Sequence, residues 1–171
     1  MKELELTYLA KYIPKGLFDC SSKRIVDRYI PAEISHPVIR LRKAGKKIEL
    51  TKKEPIKGTN SSYQLEQTII LTEKECAVFE KIPAKVVAKT RYDYPYQNRI
   101  VEIDVFEEDL SGLVLVDVEF ESCEEKDKFL MPEFCLVEVT QEKFTAGGML
   151  AGKKFDDIRE ELSSFGYAGL K

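Results

Sequence analysis

The chain carries one histidine in 171 residues, and that scarcity excludes any mechanism needing several imidazoles. His36 precedes Pro37 and reads as a loop residue. The four cysteines, Cys20, Cys76, Cys123 and Cys135, form no C-x-x-C and sit in dissimilar settings. They are expected to be reduced thiols of a cytosolic protein. With neither clustered histidines nor paired cysteines, a zinc site is not expected. Nine glycines and seven prolines are too few for a low-complexity or linker-like chain. No apolar run approaches the ~18 residues of a membrane helix, and Met1-Lys2-Glu3-Leu4-Glu5 is not read as a signal peptide. Cytoplasmic localisation and no membrane partner are the resulting expectations. A net charge of -3 excludes a generally basic nucleic-acid binder. There is no internal repeat or shift in composition, so residues 1–171 are read as a single domain.

What is abundant is charge of both signs, with 27 Lys and Arg against 30 Asp and Glu. These charges recur two residues apart on segments with a period of two. Alternating segments fall at 3–8, 38–42, 48–51, 63–70, 85–92, 99–106, 113–121 and 136–140. Lys43-Ala44-Gly45-Lys46-Lys47 reads as one hairpin loop and Tyr94-Pro95-Tyr96-Gln97-Asn98 as a second turn. Eight strands in short succession predict an antiparallel sheet, closed or strongly curled. Helices are predicted after the capping box Thr72-x-x-Glu75, over 124–130, and over 155–165 with Gly166 as its stop.

Residues i and i+2 of a strand share a face about 6.6–6.8 Å apart. One face collects Glu3 and Glu5; Arg40 and Arg42; Glu49, Thr51 and Lys53; Gln64 and Glu66; Lys89 and Arg91; Glu102 and Asp104; and Asp117, Glu119 and Glu121. The other face is apolar. Such a sheet could present its charged face to solvent in the ordinary way. Whole strands carrying only acids or only bases point instead to a charged interior, with amphipathic helices covering the apolar face. Like charges ~4 Å apart repel by about 4 kcal/mol at an effective dielectric of 20. Clustered carboxylates therefore call for cations, and clustered Arg and Lys for anions. A polyphosphate with Mg²⁺ or Mn²⁺ suits both sets.

In this order the segments resemble a known family. Glu3-Leu4-Glu5, Ile39-Arg40-Leu41-Arg42, Leu50-Thr51-Lys52-Lys53, Lys89-Thr90-Arg91-Tyr92, Glu102-Ile103-Asp104-Val105-Phe106 and Asp117-Val118-Glu119-Phe120-Glu121 are similar to motifs of the CYTH superfamily, the triphosphate tunnel metalloenzymes. The resemblance implies an α+β, predominantly antiparallel fold: a closed eight-stranded tunnel barrel with helices packed outside. It implies Mg²⁺- or Mn²⁺-dependent hydrolysis of a small-molecule triphosphate or polyphosphate, or in one branch cyclisation of ATP. By the same resemblance Glu3, Glu5, Glu119 and Glu121 bind metal, and Arg40, Arg42, Lys53, Lys89 and Arg91 grip phosphates. Glu66, Glu102, Asp104 and Asp117 support those bases or hold a second metal. Glu3, Glu5, Lys89 and Arg91 form the catalytic set. No nucleic-acid partner is implied, and a homodimer stays open. Two positions depart from the pattern: Thr7 stands where the family's E-x-E-x-K motif has lysine, with Lys11 further along, and Gln64 replaces a first acid.

Two further motifs are set aside. Gly147-Gly148-Met149-Leu150-Ala151-Gly152-Lys153 fits the start of a P-loop, but Lys154 follows where a hydroxyl is needed. It reads as a loop before the last helix. Tyr92, Tyr94 and Tyr96 read as hairpin packing rather than a base-stacking platform. The function classes left are a triphosphatase, a cyclase, a non-catalytic polyphosphate or nucleotide sensor, and a barrel for an apolar ligand. The last would need the apolar face turned inward.

Overall fold

Strict alternation produces strands here because each strand has one face to bury, and a computed structural model shows where those faces lie. Residues 4–35, 37, 39–55 and 64–170 are described, with backbone only at 53–55, 64 and 65. The strands are β1 (Leu4–Ala10), β2 (Ser22–Ile30), β3 (Ile39–Ala44), β4 (Lys47–Pro55), β5 (Gln64–Ile70), β6 (Lys85–Tyr96), β7 (Arg99–Phe106), β8 (Val114–Phe120) and β9 (Cys135–Glu138). Short helices are α1 (Glu73–Phe79), α2 (Cys123–Lys128), α3 (Gly147–Leu150) and α4 (Arg159–Ser164). Their order in the sheet is β5-β4-β3-β2-β6-β7-β8-β1-β9, and every described ladder is antiparallel.

The predominantly antiparallel sheet with helices agrees with the sequence expectation, but the closed eight-stranded barrel does not. The sheet has nine strands, and its terminal strands β5 and β9 are joined by no ladder among the described residues. The additional strand is β2. It is walled on both faces, with Ile25 and Asp27 buried on one and Ile30 on the other. It therefore lacks the polar-apolar alternation by which the other strands are read.

The chain groups into two compact units, Met1–Lys23 with Lys89–Thr145 and Lys153–Lys171, and Arg24–Ala88 with Ala146–Gly152. In the first unit the apolar faces of β1, β7 and β8 supply Tyr8, Ala10, Val101, Ile103, Val116 and Val118 to one core, onto which Phe129 and Phe134 pack. Tyr94 and Tyr96 meet Phe134 edge-on at 5.6 and 5.3 Å. The tyrosine run is thus core packing, and it belongs to β6 rather than to the turn, which narrows to Gln97-Asn98. In the second unit Leu41 and Ile48 bury against Cys76 of α1, with Leu50 and Phe79 beside them. The predicted capping box forms at Thr72 and Glu75. In both units a helix or its flanking aromatics cover the apolar face. The polar faces of the same strands are left for other work.

The expected helix over 155–165 forms as a 3-10 turn (Phe155–Ile158) leading into α4, and Gly166 takes φ 76° at its end. All four cysteines are free. No helix among the described residues is long and apolar enough to cross a membrane. His36 lies outside the described residues.

Candidate active site

The polar face of the first unit is set by register. Glu5 lies opposite Glu119 and Thr7 opposite Asp117 on β1 and β8. Glu102 lies opposite Asp117 on β7 and β8, and Arg91 opposite Asp104 on β6 and β7. Pairing two strands in register places their same-face side chains within about 4.5–5.5 Å at Cβ. Five carboxylates therefore share one face with two cations, Lys89 and Arg91.

Asp104 is the hub, with 1% of its surface exposed. It accepts hydrogen bonds from Lys89 Nζ and from Arg91 Nε and Nη2, each at 2.7 Å. Arg91 also donates to Glu102 and to Asp117 Oδ2 at 3.1 Å. Burial opposes the Arg91 charge, but Asp104, Glu102 and Asp117 outweigh it and raise its pKa. Burial likewise opposes the Asp104 charge, and Lys89 and Arg91 reverse that to hold its carboxyl below the ordinary value. Its neighbours go the other way. Burial raises Glu102, helped by Asp104 and Glu119, and burial with Asp104 raises Asp117. The acids outnumber the bases, and two of them are pushed toward holding a proton.

Thr7 occupies the position of the missing lysine. Its hydroxyl donates to Asp117 Oδ1 at 2.9 Å, and its N–H donates to Thr140 Oγ1 at 3.0 Å. Lys11 is exposed beyond the end of β1. The same face turns apolar one step further along, where Leu9 opposes Leu115 and Phe106 opposes Lys89, whose Nζ lies 5.4 Å from the Phe106 ring centre.

The polar face of the second unit is built on β2, β3, β4 and β5. Arg42 lies opposite Asp27, and Arg40 opposite Tyr29. Asp27 is 2% exposed and accepts from Arg42 Nε and Nη2, both at 2.7 Å. Such a two-pronged pair fixes the guanidinium and offsets its charge. Arg40 has no such acid, and its Nε is buried without a hydrogen-bond partner among the described residues. Thr51 is 1% exposed and shares a 3.0 Å hydrogen bond with Thr68. Lys53 lies opposite Glu66 in register, but its side chain lies outside the described residues. Thr68 donates to Glu66 Oε1 at 3.1 Å.

Of the expected site residues, the structure thus brings Glu5, Lys89, Arg91, Glu102, Asp104, Asp117 and Glu119 onto one face. It places Arg40, Arg42 and Glu66 on the polar face of the second unit. Glu121 lies beyond the last residue of β8 and is exposed. Glu3 lies outside the described residues. Asp27 and Tyr29 were missed because their strand was missed; an acid and a phenol at i and i+2 were the available signal.

The donors on the first face are oxygens, five carboxylates and the Thr7 hydroxyl, which suit a hard divalent cation such as Mg²⁺ or Mn²⁺ and not zinc. Among the described residues no three acids, histidines or cysteines stand together as a preformed metal cluster. The fit is one of chemistry: surplus carboxylates, two of them raised toward protonation, are relieved by a cation.

The chain is 31% identical over 144 residues to an inorganic triphosphatase of Nitrosomonas europaea, covering 84% of this chain and 92% of that protein. The crystal structure of the inorganic triphosphatase NE1496 superposes with a TM-score of 0.67 at 26% identity, covering 90% of this chain and 96% of that one. A second crystal structure of NE1496 gives the same TM-score, covering 89% and 99%. No protein-family model matches the chain.

Proposed function

Because the chain belongs to the CYTH superfamily, the triphosphate tunnel metalloenzymes, we propose that it hydrolyses a triphosphate with the help of a divalent metal ion. Inorganic tripolyphosphate is the first substrate to try, and organic triphosphates are the alternatives. The observation that carries the reading is the face on which Asp104, Glu102 and Asp117 hold Lys89 and Arg91, with Glu5 and Glu119 on the same side of the sheet. A plain solvated face would not bury Asp104 between two cations, because removing charges from water is costly unless they have work or partners.

In this reading Glu5 and Glu119, with Glu3 and Glu121 as further donors, hold Mg²⁺ or Mn²⁺. The bound ion would neutralise phosphate charge and polarise its oxygens. Lys89 and Arg91 bind phosphate oxygens from the same face, held in place by Asp104, Glu102 and Asp117. Arg40, Arg42 and Lys53 are the further phosphate-binding residues, with Glu66 in support. Water attacks the terminal phosphorus in line, the P–O bond to the leaving diphosphate breaks, and a carboxylate of the face takes the proton from water. Glu102 is suited to that role because burial already raises its affinity for a proton. The products are orthophosphate and diphosphate. We read residues 1–171 as one functional domain, cytoplasmic, with no nucleic-acid or membrane partner, as a monomer or homodimer.

A second reading is supported by Thr7. A neutral hydroxyl hydrogen-bonded to Asp117 replaces the family's lysine, which suits a protein that binds polyphosphate or nucleotide without hydrolysing it. One assay separates the readings: phosphate release from a panel of triphosphates with Mg²⁺ or Mn²⁺, alongside Glu5→Ala. Release that Glu5→Ala abolishes is the expected result. Binding with no release over the panel selects the sensor, and cyclic AMP from ATP selects the cyclase.

A further inference from the structure

The three arginines on the polar faces differ at one atom. Arg91 Nε is held by Asp104 and Arg42 Nε by Asp27, each at 2.7 Å. Arg40 Nε is buried with no hydrogen-bond partner among the described residues. Arg40 is therefore the arginine whose guanidinium has a buried N–H to offer an anionic oxygen, and something other than a carboxylate must hold it still.

Tyr29 meets that need. It is the direct cross-strand partner of Arg40, and the guanidinium charge acts on its phenol at close range, opposing the rise that burial imposes on it. A neutral phenol can orient a guanidinium without offsetting its charge, which Asp27 does to Arg42. The phenol is itself seated by Gly147 and Gly148. A Cβ at Gly147 would come within 2.5 Å of Tyr29 Oη, and one at Gly148 within 3.3 Å of Tyr29 Cε1. Neither position has the positive φ that demands glycine, so the close approach of the ring accounts for both. The Gly147-Gly148 pair, which resembles a P-loop in sequence alone, here makes room for an aromatic ring.

We propose that Tyr29, seated on Gly147 and Gly148, is the positioning residue that holds Arg40 for an anionic phosphate oxygen while leaving its charge unspent. The substrate side of this inference rests on the triphosphatase reading; the positioning side does not. Two readouts keep them apart. The first is solvent exchange of arginine Nε–H in ¹⁵N-arginine-labelled protein, with no phosphate compound present. Tyr29→Phe is expected to speed exchange at Arg40 several-fold, because a guanidinium no longer oriented by the phenol opens its buried Nε–H to water more often. Arg42, fixed by Asp27, is expected to stay unchanged, and Gly147→Ala should reproduce the effect by displacing the phenol. The second readout is tripolyphosphate hydrolysis, where Tyr29→Phe should raise KM about tenfold with kcat within a factor of two. An Arg40 signal that does not respond in either variant overturns the proposal. So does an Arg42 signal that moves as far as that of Arg40, since general loosening would do the same. If the wild-type protein releases no phosphate, the triphosphatase reading fails, and the Nε–H exchange still decides whether Tyr29 positions Arg40.

Discussion

Replacing Asp104 by asparagine tests whether buried ion pairing organises the first polar face. The substitution keeps the shape of the side chain and removes the charge that Lys89 and Arg91 share. Lys89 is left beside the Phe106 ring, while Arg91 keeps Glu102 and Asp117. Breaking one side of a buried pair costs about 3–5 kcal/mol. The acids remaining around Arg91 put the expected loss at the lower end, about 3 kcal/mol. With a urea m-value of about 2 kcal/mol/M, the unfolding midpoint should fall by about 1.5 M at pH 7. The pH dependence supplies a second check with a definite sign. Burial raises and the two cations lower the Asp104 carboxyl, which ends below its ordinary value of 3.8. Its stabilisation is therefore fully present above that value and is lost as pH falls through the lower folded-state value. The gap between wild type and Asp104→Asn should be constant near neutrality and close only in stronger acid. A midpoint shift under about 0.5 M at pH 7, or a gap that widens on acidification, would refute the reasoning.

Thr7→Lys would restore the family's basic residue beside Asp117. Phosphate release should rise at least about tenfold if that charge limits the reaction, since a well-placed group on developing charge is worth that much or more. Unchanged kcat would mean that another residue supplies it. Mn²⁺ alone should raise the thermal midpoint of the wild-type protein. A ligand at a hundred times its Kd adds about 2.7 kcal/mol, which is several degrees for a chain of this size. Glu119→Gln should remove most of that shift, and an equal shift in the variant would take Glu119 out of the metal set.

The strands that could be read from sequence are those with one polar and one apolar face. Leu4 and Leu6 against Glu5 and Thr7, or Val101 and Ile103 against Glu102 and Asp104, state which side is buried before any partner is known. For β2 the same rule gives nothing. Arg28 on its α1-facing side donates to the carbonyls of Glu80 and Ile82, and buried Asp27 lies on the other, so charge occurs on both faces. Periodicity also assigns faces and not neighbours, which is why it could not supply a ninth strand or leave the sheet unclosed. Gly147–Leu150 failed for a different reason. Four residues with two glycines carry no helical period, and what fixes those glycines is a tyrosine more than a hundred positions away in sequence.

The same distinction separates the residues on a polar face from those able to bind a ligand. The motifs collected Arg40, Arg42, Lys89 and Arg91 as one chemical set. Register then divides the set. Asp104 takes Lys89 and two nitrogens of Arg91, so on the proposed reading a cation among the surplus acids becomes the stronger attraction for phosphate there. Asp27 takes Arg42 in the same two-pronged way, yet its strand-mate Tyr29 leaves Arg40 charged. Arg40 and Arg42 are two residues apart on one face and chemically identical. Their difference comes entirely from which side chain of β2 lies opposite each, and a one-residue slip of that pairing would put Asp27 and Tyr29 on the other face. On the proposed reading, anion binding in the second unit depends on the β2–β3 register, and Arg40→Ala should weaken tripolyphosphate binding more than Arg42→Ala does.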